Sequence, residues 1–130
     1  MNRVSSADRA VSSDLAGCRV LPMDMYERED QYVIKAHVPG VKVDDIEINV
    51  DRGLLLTIKA HIDGEAASEE AKNYKWLLNE LGSGDLARSL SMPTMVDVNK
   101  IEASVENGVL TITLPKAEEA KPKQIKILPK

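Results

Sequence analysis

The sequence predicts an all-β protein, folded as an immunoglobulin-like antiparallel β-sandwich, and two observations support this. Between residues 20 and 115, apolar and polar residues alternate in short runs, so that every second side chain points to the same face of a strand. Turn signals separate the runs, namely Pro39-Gly40, Arg52-Gly53 and Asn107-Gly108. About seven short strands with turns between them and little helix are typical of a sandwich.

Three alternating runs lie in the first half of this region. Residues 32–38 place apolar side chains on one face, and Pro39-Gly40 then ends the strand by removing a donor and permitting a turn. Residues 46–51 alternate without interruption. After the turn at Arg52-Gly53, one face of the next run carries Leu54, Leu56, Ile58 and Ala60.

A predicted hairpin lies in the second half. A weaker run at residues 86–92 ends at Pro93, and the next inward row consists of Ile101, Ala103 and Val105. Asn107-Gly108 joins this row to the run at residues 109–115. An Asn-Gly pair between two alternating runs is the strongest short-range hairpin signal, because both residues tolerate the positive φ of a type I′ turn.

Residues 65–81 give conflicting signals. Their Ala, Glu, Lys and Leu content favours helix, and a period near 3.6 residues relates Ala67, Ala71, Tyr74, Leu78 and Leu81. Local propensity alone leaves helix and non-helix equally open here.

The charge and composition of the chain argue against nucleic-acid partners. The formal net charge is -4, so the protein offers no positive field for a phosphate backbone. Aromatic residues make up only 3% of the chain and Phe is absent, so no stacking platform for bases is visible.

Residues that could carry chemistry are sparse. His37 and His61 stand without a Cys or a cluster of carboxylates and so lack the three or four ligands of a metal site. Cys18 has no rigid base beside it, and no phosphate-binding loop of the form G-x-x-x-x-G-K-[ST] occurs. We therefore expect no catalytic residue, no metal and no cofactor.

Composition also divides the chain and suggests its compartment. We expect a short flexible arm at residues 1–20, a folded domain at 21–116 and a polar tail at 117–130 that ends in a small apolar alternation. The single cysteine, and the lack of an apolar stretch of about 20 residues or of an apolar signal core, predict a soluble cytoplasmic protein with no membrane partner.

Four motifs in this order resemble the small heat-shock protein family, whose shared unit is the α-crystallin domain. The sequence from Ala103 to Lys116, ASVENGVLTITLPK, is similar to the family signature A-x-x-x-n-G-v-L and the strand that follows it. The other three motifs are the turn Val38-Pro39-Gly40-Val41 with Asp44-Asp45-Ile46, the segment Leu86 to Pro93 and the C-terminal I-x-I of Ile125-Lys126-Ile127. The resemblance covers the chain from Leu21 to Leu128, and the bacterial and plant members are the most similar type.

The resemblance implies two contacts between subunits. Residues 65–81 would be a long loop carrying an edge strand, Lys75 to Leu78, that pairs with Leu21 to Met25 of a partner; we adopt this reading over the helix. The dimer interface would then contain Met23, Met25, Trp76, Leu77, Leu78 and Arg88. Ile125 and Ile127 of the tail would enter a groove on another subunit that is lined by Ile46, Ile48, Ile101, Ala103 and Val105.

The function implied is that of an ATP-independent chaperone, a holdase that binds partially unfolded proteins and prevents their aggregation under stress. Its partners would be copies of itself, in dimers and larger oligomers, and unfolding client proteins, with ATP-dependent chaperones acting downstream. Family members usually bind clients through a longer, Phe-rich arm, whereas the apolar residues of this arm are few and small. The grooves of the sandwich could carry that role instead.

Two other functions remain open at this point. A monomeric sandwich adaptor, such as a CS-domain co-chaperone, shares the architecture but has no use for the I-x-I tail or the long loop. An enzyme on a sandwich would need a convergent acid, base or nucleophile, which the sequence does not show. Arg88 has two readings as well, a surface residue or a buried interface arginine paired with a carboxylate.

Overall fold

Two four-stranded sheets form the protein in a computed structural model that describes residues 18–120 and 125–129. The strands are β1 (Arg19–Val20), β2 (Met23–Glu27), β3 (Gln31–His37), β4 (Ile46–Asp51), β5 (Leu55–Ile62), β6 (Gly84–Ser91), β7 (Glu102–Glu106) and β8 (Val109–Pro115). One sheet has the order β1-β6-β5-β4 and the other β2-β3-β8-β7. All pairings are antiparallel except that of the short β1 with β6. The predicted all-β sandwich is confirmed.

The core lies between the two sheets and consists of the alternate residues that the sequence placed on one face. In β3, Ile34 and Ala36 are fully buried, while Lys35 between them is exposed. Ile58 of β5 and Ile112 of β8 are also fully buried. The central strands of each sheet therefore carry the hydrophobic stabilisation, and the outer strands are buried only in part.

Two predicted turns have positive φ at both central residues. Asn107 and Gly108 join β7 to β8 with φ of 54° and 77°, and Arg52 and Gly53 join β4 to β5 with φ of 56° and 70°. At Gly53 the packing adds a second constraint, because an added Cβ would lie 2.7 Å from the carbonyl oxygen of Val96. Arg52 adopts a positive φ although it is not one of the residues that favour it.

The connection between β5 and β6 is long and mostly irregular. It contains two short 3-10 helices, Glu65–Ala67 and Glu70–Asn73, and residues 74–83 have no regular structure. The continuous helix that local composition favours over 65–81 does not form. Residues 75–78 form no strand and pair with none among residues 18–120 and 125–129, so their pairing with a second subunit stays a prediction.

The path of the chain places strand edges on two opposite sides of the sandwich. Only Leu21 and Pro22 separate β1, at the edge of one sheet, from β2, at the edge of the other, so these two edges lie on the same side. The remaining edges, β4 and β7, therefore lie together on the far side. An edge strand presents unpaired backbone N–H and C=O groups, which can pair with another chain.

Candidate functional site

Partly buried apolar side chains lie along the two edge strands β4 and β7, between which the sequence analysis expects a groove. Ile46, Ile48 and Val50 of β4 point toward the core but are only partly buried, as are Ile101 and Val105 on the opposite side of the groove. All five pack against the buried core cluster. This side of the sandwich thus offers apolar side chains and two strand edges that no strand among the described residues covers.

Ala103 has an inward direction but an exposed side chain. It lies opposite Ile112 in the β7–β8 ladder, and Ile112 is fully buried, so the Cβ of Ala103 faces the space between the sheets. The residue is nevertheless exposed. The sequence analysis expected Ala103 to point inward, and its small side chain on an edge strand leaves the space between Ile101 and Val105 open.

The C-terminal segment carries apolar side chains that the single chain does not cover. Ile125 is 85% exposed and Ile127 is 90% exposed. Because they are two residues apart, an extended backbone would point both to the same side, about 6.6 Å apart. That spacing equals the spacing of alternate residues along β4 and β7.

A second uncovered apolar cluster lies in the long connection. Its members are Tyr74, Trp76, Leu77, Leu78 and Leu81, and Leu77 and Leu81 are each 88% exposed. Tyr74 and Trp76 contact each other edge to face, with ring centroids 6.0 Å apart. So many exposed large apolar side chains within one segment are typical of an interaction surface.

The β2 edge lies on the opposite side from the groove. Met23 and Met25 point inward and pack against the core while remaining partly exposed. On one side β2 pairs with β3, and among the described residues no strand pairs with its other side. This edge is long enough to receive a further strand.

Comparison with known proteins shows the family to which the chain belongs. The model of the Hsp20/alpha crystallin family matches residues 24–128. This chain belongs to that family. Heat shock protein 16.0 of Schizosaccharomyces pombe has a similar structure, with a TM-score of 0.70 and 31% identity, over 94% of this chain and 84% of that one.

A sequence relative and a second solved structure also place this α-crystallin domain among the small heat-shock proteins. The 16.9 kDa class I heat shock protein 3 of Oryza sativa subsp. japonica is 38% identical over 91% of this chain and 74% of its own length. A small heat-shock protein from Xylella fastidiosa, whose crystal structure is described as revealing a distinct high order structure, has a TM-score of 0.64 and 31% identity over 85% of this chain and 97% of that one. The chain is a small heat-shock protein, an ATP-independent chaperone, and its family forms homo-oligomers.

Arg88 lies at the inner face of this α-crystallin domain. It is opposite Ile58 in the β5–β6 ladder and is partly buried. Its guanidinium Nη1 donates a hydrogen bond to the carbonyl oxygen of Leu21, at 3.1 Å. The side chain thus ties β6 to the short link between β1 and β2, on the side where the β2 edge is open.

His61 bridges two aspartates at the base of the long connection, an arrangement that the sequence analysis missed. Nδ1 lies 2.6 Å from an oxygen of Asp85, and Nε2 lies 2.8 Å from an oxygen of Asp63. The hydrogen bond with Asp85, and secondly that with Asp63, raise the pKa of His61 above its usual value. Asp63 is two residues away in sequence, but Asp85 is brought close only by the β5–β6 register.

Lys116 is the other charged residue that the sequence analysis missed. It is 8% exposed and follows β8 directly, and its Nζ lies 2.6 Å from an oxygen of Glu27 at the end of β2. The ammonium also lies 5.3 Å from the centre of the Tyr32 ring. The bond to Glu27 raises the pKa of Lys116. Sequence offers no signal for this pair, because the partners are 89 residues apart.

The described residues contain no group of three His, Cys, Asp or Glu side chains that could hold a metal ion. The carboxylates beside His61 lie at opposite ring nitrogens, so they do not converge on one point. In the same part of the chain, no helix has the length and apolar character needed to cross a bilayer.

Proposed function

We propose that this small heat-shock protein holds unfolding proteins by exchanging them with its own C-terminal tail at the groove between β4 and β7. One observation supports the proposal: two edge strands with partly buried apolar side chains and no outer partner among the described residues occur in the same chain as a tail with two uncovered isoleucines. The groove residues are Ile46, Ile48, Ile101, Ala103 and Val105, and the anchor residues are Ile125 and Ile127. Binding would be strand addition with alternate side chains in pockets.

The strength of one such contact is marginal. Burial of two isoleucines contributes roughly 3–6 kcal/mol, at about 1.5–3 kcal/mol each. Ordering about four backbone residues costs on the order of 4–8 kcal/mol. A single tail therefore opens easily, while many tails within one closed particle act at high effective concentration and keep the assembly together.

The building block of that assembly is a dimer formed at the opposite side. Lys75–Leu78 of one subunit would pair with the open edge of β2 in its partner, and would cover Trp76, Leu77 and Leu78 against Met23 and Met25. The uncovered apolar cluster of the long connection supports this, because such side chains are rarely left in water without a partner. Arg88 would support the same interface, since it holds the link that leads into β2.

An opened groove can take an apolar segment of an unfolding protein in place of a tail. A bound client is removed from the pool that aggregates, and this requires only mass action and no nucleotide. Refolding would be left to ATP-dependent chaperones. We place this activity in the cytoplasm, without catalysis, cofactor, membrane or nucleic-acid partner.

Paired substitutions at the tail test the anchor. Replacing Ile125 and Ile127 with Ala should convert the large oligomer to dimers or small oligomers, whereas Leu128→Ala is the matched control, since its side chain points away from the other two. Native mass spectrometry measures the particle. An unchanged mass in the double variant would refute the anchor role.

A second pair tests the groove. Ala103→Glu places a charge where the groove is open, and Ser104→Glu places the same charge on the other face of β7. Only the first should release the tail and reduce protection of a heat-denatured model protein in an aggregation assay without ATP.

Deletion of residues 1–17 tests the role of the arm. The deletion variant should keep most of this protection against aggregation. If the protection were lost completely, the arm and not the groove would be the client-binding site.

A monomeric adaptor of the CS-domain type is the alternative. It predicts a single-chain mass at all concentrations and no effect on an aggregating protein. The two exposed apolar segments, at residues 74–81 and 125–128, favour the assembling chaperone.

A further inference from the structure

Acidic side chains form both rims of the groove. On the outer faces of the two edge strands lie Glu47 and Asp51 of β4, and Glu102 and Glu106 of β7. All four are exposed, and neither strand contains a basic residue. Within residues 18–120 and 125–129, none of the four carboxylates takes part in an ion pair.

The proposed occupant has the opposite charge. Residues 121–130, KPKQIKILPK, contain four lysines and no acidic residue, although the chain as a whole carries a net charge of -4. Lys126 stands between the two isoleucines and is exposed. In an extended segment it points away from the apolar floor, so it would lie between the two rims when Ile125 and Ile127 enter the groove.

We propose that the acidic rims select the occupant of the groove, so that it takes extended segments with alternate branched apolar residues and basic flanks, first of all the C-terminal segment of a second copy of this chain. This rests on the proposed function, in which the groove receives the tail. The apolar floor supplies most of the affinity, and the rims supply discrimination. An apolar segment with acidic flanks would be rejected by like-charge repulsion.

The same charges protect the empty groove. Two copies that approached edge to edge at β4 or β7 would bring like-charged rims together, which opposes the uncontrolled pairing to which open strand edges are prone. A lysine-rich segment meets no such barrier. The rims therefore distinguish the intended strand from the edge of a sister subunit.

Peptide binding provides the test. The acceptor is the full chain with Ile125→Ala and Ile127→Ala, whose grooves are free of its own anchors, and the probes are fluorescent peptides spanning residues 120–129. One peptide is native, one carries Lys123→Glu and Lys126→Glu, and one carries Ile125→Ala and Ile127→Ala. Fluorescence anisotropy at low and at physiological salt measures each affinity.

We expect the charge-reversed peptide to bind about ten-fold more weakly than the native peptide at low salt, at a factor of roughly 1.5–5 for each exposed pair. The difference should shrink as salt screens the rims. Equal binding of the native and charge-reversed peptides would overturn the selection by charge while leaving the anchor intact. Failure of every peptide to bind would instead refute the proposed function.

A charge exchange in the full chain gives an independent check. Glu47→Lys with Glu102→Lys should weaken the assembly at low salt, and so should Lys123→Glu with Lys126→Glu. Combining all four substitutions should restore the oligomer, because the complementarity is then reversed and not lost. If the variant with all four substitutions formed particles no larger than those of the two double variants, the proposal would be contradicted.

Discussion

The ammonium of Lys116 and the carboxylate of Glu27 lie 2.6 Å apart and join the end of β8 to the end of β2. One strand leads to the tail that would anchor the oligomer, and the other is the edge that would receive a partner in the dimer. The pair thus connects the two elements that we propose for assembly. The ring of Tyr32, which is 1% exposed, packs against the Lys116 ammonium. A 2.7 Å hydrogen bond between the hydroxyls of Tyr32 and Thr94 fixes the position of the ring.

Glu27→Gln should destabilise the domain more than Lys116→Met. The first variant leaves the Lys116 ammonium, in a residue that is 8% exposed, with a weaker acceptor, whereas the second removes the charge and keeps the packing over Tyr32. Because the folded pKa of Lys116 is raised, the contribution of the pair is present below the ordinary lysine pKa of 10.5 and is lost as pH rises through the folded pKa. Urea unfolding at pH 7 measures both variants, and the reverse order would contradict this account.

His61 should make stability depend on pH in one direction. Its pKa is raised from the ordinary histidine value of 6.5, so the stabilisation from Asp85 and Asp63 is fully present below about pH 6.5 and is lost as pH rises through the folded pKa. NMR titration of the imidazole should give a midpoint above 6.5, and Asp85→Asn should lower it more than Asp63→Asn. His61→Gln should remove this part of the pH dependence; an unchanged profile would show that the bridge does not contribute.

Gly53→Ala should lower the free energy of unfolding by more than Gly40→Ala. Both glycines have positive φ, 70° and 77°, so each substitution carries a backbone cost of about 1–3 kcal/mol. Around Gly40 nothing lies within 4 Å of an added Cβ, whereas at Gly53 it would meet the Val96 carbonyl oxygen at 2.7 Å. Denaturant unfolding measures both variants, and the larger loss of unfolding free energy in Gly53→Ala gives the cost of the steric clash. Equal losses of unfolding free energy in the two variants would refute the close approach to Val96.

Replacing Leu77 and Leu78 with Ser should abolish the dimer without unfolding the domain. They are 88% and 73% exposed in the single chain, so their loss removes little intrachain packing. Leu81→Ser is the control, since Leu81 is also 88% exposed but lies outside the proposed strand Lys75–Leu78. Analytical ultracentrifugation should show monomers only for the double variant, and persistent dimers there would place the interface elsewhere.

Period-two alternation is sufficient to predict the strands whose two faces differ most in burial. β3, β5 and β8 lie in the middle of their sheets, and their inward residues are almost fully buried, so the alternation is strong. β1 and β2 carry weaker alternation because they are edges, and their partners emerge only from the fold. The segment 65–81 was ambiguous for a related reason, since its apolar residues have no core to face within one chain.

The sequence by itself determined the sandwich, the Asn107-Gly108 hairpin and the isoleucine pair of the tail, because each depends on residues that are neighbours in the chain and on their local backbone preferences. Only the tertiary structure decided that β4 and β7 are edge strands on one side of the sandwich, that Ala103 is exposed there, and that His61 meets Asp85 and Lys116 meets Glu27. Those relationships join residues far apart in sequence, and they follow from strand register and sheet order, which local propensity does not encode.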